Sequence, residues 1–360
     1  MSEILKYIVR SLLVLVWIAI IYGFLMVPKL VQKSPIDMNS LRIYTWAHRI
    51  DENMVRAFEQ KTGIKVYLTY YESSEELLTK LEKMSSIDCD IMLPSGFIIE
   101  AMIKNNLIKK IDKNRCLFLK NMYPEFLGMY FDPQNDYSIP LYWDVFGIGY
   151  NSRMVGDREV TLNMLFNHDD VVGGMIGMTE DARESIFLAA RFLGFPLTGH
   201  FTQDQLTAIH NLLYQQKRWV GAYSDSGQGY FLSSEAFAVV ASDREIICRQ
   251  MLNNDFIKFA LIPQGSMLRV DSVVLNVATQ KDDKIYQFLE FLFSYDVMMH
   301  HAQKYCILPT IKKAFKDLDI QYVGISGLYP GSDSFEKLVV FQHGLTQKAL
   351  NDFWIKFKAS

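Results

Sequence analysis

Asp181 and Glu184 stand three residues apart in Thr179-Glu180-Asp181-Ala182-Arg183-Glu184, so on a helix they share one face. Such a face offers paired negative charge. Equally, both acids could simply complement the dipole in a helix's first turn. Asp271, beside Ser272 at the start of an apolar run, is a third carboxylate, and it could also be a hinge or turn residue. Catalytic patterns are missing. Gly324-Ile325-Ser326-Gly327 lacks the nucleophile-elbow spacing, and Ser226-Gly227-Gln228-Gly229 follows no clear strand. No P-loop occurs, and Gly147-Ile148-Gly149 lacks the third glycine of a dinucleotide-binding turn. His168, His200, His210 and His343 are isolated, and the His300-His301 pair falls on an expected surface helix, so ordinary histidines are expected rather than metal ligands. Cys89, Cys116, Cys248 and Cys306 show no C-x-x-C spacing. One disulfide is open to them in an oxidising compartment, but isolated buried thiols fit most of them. Neither an enzyme, a cofactor nor a metal is expected.

The elements that must position these residues alternate. Arg42 to Trp46 is β-rich, and a helix fits Asp51 to Thr62 with Met54, Val55 and Phe58 on one face and Gly63 as its stop. Ile64 to Tyr70 reads as the next strand. Ser73 with Glu76 forms a capping box before a second helix. Asp90 to Leu93 is a short strand ending at Pro94-Ser95, and Phe97 to Lys104 turns helical. Strand–helix alternation of this kind predicts a parallel sheet whose ligands lie beyond the carboxyl ends of the strands, where Trp46 and Ser95 fall. A second α/β region follows. Phe146 to Tyr150 reads as a strand crossing to another lobe, Met175 to Met178 leads into the helix at Thr179, and Tyr230 to Phe237 reads as helix before an extended Ala238 to Ala241. Val270 to Val277 is a return crossing; Lys284 to Phe293 and Val297 to Lys304 read as helices capped by Asp282 and Asp296. A chain that leaves one lobe and comes back describes two lobes on a multi-strand hinge.

The 360 residues allow one or two sizeable cores, and a formal net charge of −3 argues against nucleic acid as partner. Lys6 and Arg10 precede an apolar run from Ser11 to Val27, about 17 residues and near the minimum for a membrane span. Residues 1–33 therefore read as a cleaved export signal or an uncleaved anchor. No small-x-small cleavage site follows, which favours the anchor; either way the remainder is exported.

Thr62-Gly63-Ile64-Lys65-Val66, Ile111-Asp112-Lys113, the block from Phe131 to Pro140 (Phe-Asp-Pro-Gln-Asn-Asp-Tyr-Ser-Ile-Pro) and Asp181-Ala182-Arg183-Glu184 together resemble the spermidine/putrescine-binding proteins of bacterial polyamine ABC importers. The resemblance covers about Leu41 to Lys358. It implies a two-lobed, type II-like periplasmic-binding-protein fold, with lobe 1 at 38–146 plus 272–308 and lobe 2 at 147–271 plus 309–360. It implies a monomer that captures a polyamine and hands it to a permease of the inner membrane. Polyamines carry ammonium groups on methylene chains, so their receptor needs spaced carboxylates and aromatic cover. The positions implied are Asp181, Glu184 and Asp271 for the amines, Trp46 as aromatic wall, Ser95 as its polar neighbour, and Gln342 as a late contact. Phe97 stands where the family offers a tyrosine.

Several positions depart from the family. Arg269 replaces an aromatic two residues before Asp271, Ala241 replaces a tryptophan, a tyrosine is lost near Leu308, and His48-Arg49 replace an acid and a tyrosine beside Trp46. Arg269 has three readings: pointing to solvent, pairing with Asp271 and Glu184 as an internal substitute for one amine, or reading the carboxylate of an amino-acid-like solute. A tethered sensor with degraded binding is a further alternative.

Overall fold

The structure, a computed structural model, describes residues 10, 12–13, 15–22, 38–72, 74–83, 89–167, 175–343 and 345–359. The chain divides into two units, Met1–Ser40 and Leu41–Ser360. In the first, residues 12–13 and 15–22 are helical and exposed. No helix among the described residues is long and apolar enough to cross a membrane. Much of the expected signal or anchor at 1–33 lies outside the described residues, as do Ser73 of the expected capping box and His168.

In the second unit the alternation expected from sequence is present. Strand β1 (Ser40–Thr45) leads to α1 (Glu52–Thr62), β2 (Lys65–Tyr70), α2 (Ser74–Lys83), β3 (Ile91–Met92), α3 (Gly96–Lys104) and β4 (Ile108–Lys109). Asp51 caps α1 through its side chain on the Asn53 amide, and Gly63 ends it at φ 72°, a left-handed position that suits glycine. Next come β5 (Ser138–Asn151), β6 (Ile176–Met178), α4 (Ala182–Phe192), β7 (Thr198–Gly199), α5 (Gln203–Gln216), β8 (Val220–Tyr223), β9 (Val239–Asp243) and α6 (Arg244–Met251). The chain closes with β10 (Ile257–Ala260), β11 (Met267–Asn276), α7 (Asp282–Leu292), α8 (Tyr295–Tyr305), β12 (Leu308–Pro309), β13 (Gln342–His343) and α9 (Gln347–Ala359).

Three expectations need correction. The caps of α7 and α8 are Lys281 and Ser294, and Asp282 and Asp296 lie one residue or more inside, where acids still suit the dipole. Helix in the 230s is shorter than expected, Gln228–Ser233, because Glu235 takes a positive φ and ends it. His301 is fully buried rather than on a surface: its Nε2 accepts from the Asp51 amide at 3.0 Å, and its Nδ1 meets the Tyr142 hydroxyl.

Strands of the main sheet run in the order β2-β1-β3-β11-β5-β9-β6-β8. The long β5 holds it together. Its first part pairs antiparallel with β11, from Ser138 against Val274 to Phe146 against Met267; its last residues pair with β9 and β10. Ile139, Leu141 and Tyr142 join one core with Leu41, Phe58 and Leu289, while Phe146 and Ile148 join another with Phe187, Val239 and Phe341. A third cluster takes Trp143, Val145, Val270 and Val274 with Met92, Val240 and Ile247, so three core clusters share the strands β5 and β11. Gly147 sits where they part: a Cβ there would lie 2.8 Å from the Ala260 carbonyl oxygen, so only glycine lets β10 approach. The β5–β11 register slips between Asp271 and Ser272, opposite Tyr142 and Pro140. Proline offers no amide to the ladder, and the extra residue, Leu141, puts the bulge on β5, opposite the step from Asp271 to Ser272.

Candidate functional site

Asp271 faces this bulge, its Oδ1 accepting from the Ser95 hydroxyl at 3.0 Å and its Oδ2 accepting from Arg49 Nε at 2.7 Å. Ser95 precedes α3 without capping it, so its hydroxyl is available to orient the acid. Arg49 reaches further. Its Nη1 donates to both carboxylate oxygens of Glu245, at 3.0 and 2.9 Å. Arg49 follows β1, Glu245 opens α6, and Asp271 lies on β11, so one guanidinium joins three elements distant in sequence.

Arg269 makes the second cluster. Its Nη1 lies 2.5 Å from Glu184 and 2.8 to 2.9 Å from the two oxygens of Asp243. Arg269 thus points inward and pairs with Glu184, and its other acid is Asp243 rather than Asp271. A third pair, Arg244 with Asp144 at 2.6 Å, is buried on one side of the clusters. Arg244 also donates to the carbonyls of Tyr322, Val323 and Cys306, so a fully enclosed guanidinium has partners on every arm.

Five carboxylates (Asp144, Glu184, Asp243, Glu245, Asp271) therefore share three guanidiniums (Arg49, Arg244, Arg269). The surplus shows in their acidity. Burial pushes Asp243 up to about 7, with Arg269 opposing and Asp144 and Glu245 adding. Burial also raises Glu184 well above the usual carboxylate range, Arg269 opposing and Asp181, Asp243 and Asp225 adding. Geometry agrees. The Thr179 hydroxyl lies 2.5 Å from Glu184 Oε2 and 2.8 Å from Asp225 Oδ1, yet it has one proton to give, so a proton on Glu184 completes the chain. Burial would raise Glu245 as well, but Arg49 beside it pulls its carboxyl below the ordinary range.

Asp181 caps α4, its Oδ1 accepting from the Arg183 and Glu184 amides. That cap fixes the turn from which Glu184 points inward. Phe97 lies under the Arg183 guanidinium at 4.3 Å, a cation–π contact, and both line a second small cavity with Ser95, Tyr130 and Arg269. Trp46 packs on Tyr71, ring centroids 4.6 Å apart, and Gln342 lies on the short β7–β13 sheet. Neither lines the cavity between the two arginine clusters or the second one. Sequence reasoning missed Asp243 and Glu245. Their signal was present, since the acids end the buried run Ala238–Ala241, at the carboxyl end of a strand parallel to β6.

Space between the clusters is scarce. The cavity bounded by Arg49, Asp144, Asp243, Glu245, Arg269 and Asp271 measures about 10 Å³, no more than one water needs.

The family described as bacterial extracellular solute-binding protein matches residues 53–322. The chain belongs to that family. Among solute-binding proteins of known name, it is 27% identical over 303 residues to the spermidine/putrescine-binding periplasmic protein of Escherichia coli, covering 83% of this chain and 86% of that one. It is 24% identical over 344 residues to the putrescine/cadaverine-binding protein of Pseudomonas aeruginosa, covering 88% and 93%. A solved structure from Listeria monocytogenes, a putative spermidine/putrescine ABC transporter, superposes with a TM-score of 0.79 at 26% identity, over 89% of this chain and 99% of that one. Iron-bound HitA of Pseudomonas aeruginosa shares the fold at 0.63 and 14% identity, over 89% and 98%. The expected two-lobed periplasmic-binding-protein fold and the expected family are thereby shown.

Proposed function

We propose that this chain is the solute-binding component of an ABC importer, exported to the periplasm, which captures a polyamine such as putrescine or spermidine by lobe closure. The observation that carries this reading is the surplus of two buried carboxylates over guanidiniums at the junction of the cores. A diamine supplies two positive charges, and its methylenes find cover at Phe97 and the neighbouring aromatic rings. Names of the relatives point to the same ligand class. No bond is made or broken; the protein binds as a monomer and delivers its solute to a permease.

In this reading Glu184, Asp243, Glu245 and Asp271 receive the ammonium groups, Ser95 orients Asp271, Asp181 sets the helix that carries Glu184, and Trp46 and Gln342 belong to the rim. Lobe 1 comprises 38–146 with 272–308, and lobe 2 comprises 147–271 with 309–360; β5 and β11 cross between them and form the hinge. Residues 1–33 supply the export signal or tether. A carboxylated solute read by Arg269 is disfavoured, because that guanidinium already serves Glu184 and Asp243, and a third carboxylate would meet both. Nothing specific favours a sensor with degraded binding.

Isothermal titration of the full-length protein with putrescine and spermidine tests the reading. Saturable binding is expected, weakened at least about tenfold by Glu184→Gln or Asp271→Asn, the loss expected when one charge-assisted contact goes. No heat from either polyamine would reject it.

A further inference from the structure

Arg49 and Arg269 sit where a polyamine receptor needs its ligand's charges. Each guanidinium bridges two acids: Arg49 holds Asp271 and Glu245, and Arg269 holds Glu184 and Asp243. Both line the same cavity of about 10 Å³, which has no room for a four-carbon chain beside them. Their side chains are 14% and 25% exposed, and their acid partners 17% or less, so the pairs are poorly screened by water.

Arg49 is not an arm that fell inward by chance. His48 before it adopts a positive φ of 65°, uncommon for a residue with a side chain, and its ring packs on Tyr305 at 5.4 Å. Ile50 after it is buried, and the next amide, Asp51, donates to buried His301. Packing on both sides fixes the turn, which aims the guanidinium across the cleft at Glu245. Arg269 emerges from β11 two residues before Asp271, on the same side of the strand by the period-2 rule, so both clusters line one slot.

We propose that Arg49 and Arg269 form a tethered dication that stands in for a diamine: Arg49 latches the two lobes together, Arg269 fills the far cation position, and a polyamine enters only by displacing them. The inference rests on the polyamine reading above and adds the regulation of that site. Its consequence is a raised threshold. Where the open, binding-competent form is a minority, apparent affinity falls by the fraction that is competent. This receptor responds to abundant polyamine and ignores traces of it, and a permease that recognises closed lobes would meet a closed shape without solute.

Two readouts on the full-length protein separate this inference from the reading beneath it. Small-angle scattering without polyamine reports closure alone: the parent is expected to be compact, and Arg49→Gln and Glu245→Gln, which break the latch from opposite lobes, are both expected to enlarge its radius of gyration. Because each variant removes a different partner, and circular dichroism checks that each is folded, a folding failure of one leaves the other to decide. Titration with putrescine reports competition: Arg49→Gln and Arg269→Gln are each expected to bind at least about tenfold tighter than the parent. A parent no more compact than both latch variants overturns the latch. Putrescine binding that is unchanged or weaker in both arginine variants overturns the competition. If no protein binds putrescine or spermidine, the polyamine reading fails, and scattering alone decides the latch.

Discussion

Asp243 is the residue whose chemistry most depends on its neighbours. Burial lifts its pKa to about 7, from an ordinary value of about 4. A raised folded-state pKa means that the folded protein keeps a proton which the unfolded chain has already lost. Its contribution to stability is therefore complete below about pH 4 and lost as pH rises through about 7. A bound diamine reverses the balance, since its ammonium favours the ionised acid. Binding of putrescine near neutral pH is thus expected to expel protons and to weaken as pH falls below about 7. Titrations in buffers of different ionisation heat measure this directly; identical apparent enthalpies in all buffers would contradict it. At this scale the sequence offered Asp181, Glu184 and Asp271 as acids, and two of the three meet guanidiniums in the cleft. Asp181 instead caps α4 through its Oδ1. Glu245 and Arg49 were illegible as partners, since 196 residues separate them.

Among the elements, β5 joins the cores, and Gly147 is its tightest point. Ala260 and Phe259 of β10 come so close there that a methyl group has no space, and a backbone carbonyl cannot rotate aside as a side chain can. Gly147→Ala is expected to cost about 1–3 kcal/mol of stability, read by urea unfolding, with little change in the fold. Much of this level was legible. Apolar periodicity and Gly63 placed α1, and the run of β-branched residues placed most of β11. Boundaries were less so. The expected strand Phe146 to Tyr150 is the last third of a strand that begins at Ser138, past Pro140. Proline ordinarily argues against a central strand; here a bulge at Leu141, beside it on β5, absorbs its missing amide.

For the molecule as a whole, Arg244 ties the junction. It joins Asp144 on β5 to the carbonyls of Cys306, after α8, and of Tyr322 and Val323, near the end of the described helix Ile320–Val323. Arg244→Met leaves Asp144 buried and unpaired, with an expected loss of about 3–5 kcal/mol in equilibrium unfolding. A loss under about 1 kcal/mol would show that the junction is held by packing instead. By itself the sequence determined the order of helices and strands, the α/β body, the family and the acidic character of the site. Those follow from local periodicity, turn residues and short motifs, which act over a few positions. Only the tertiary structure decided that the acids meet arginines rather than open space. Which cation faces which carboxylate depends on how strands distant in sequence are brought side by side, and no local pattern encodes that distance.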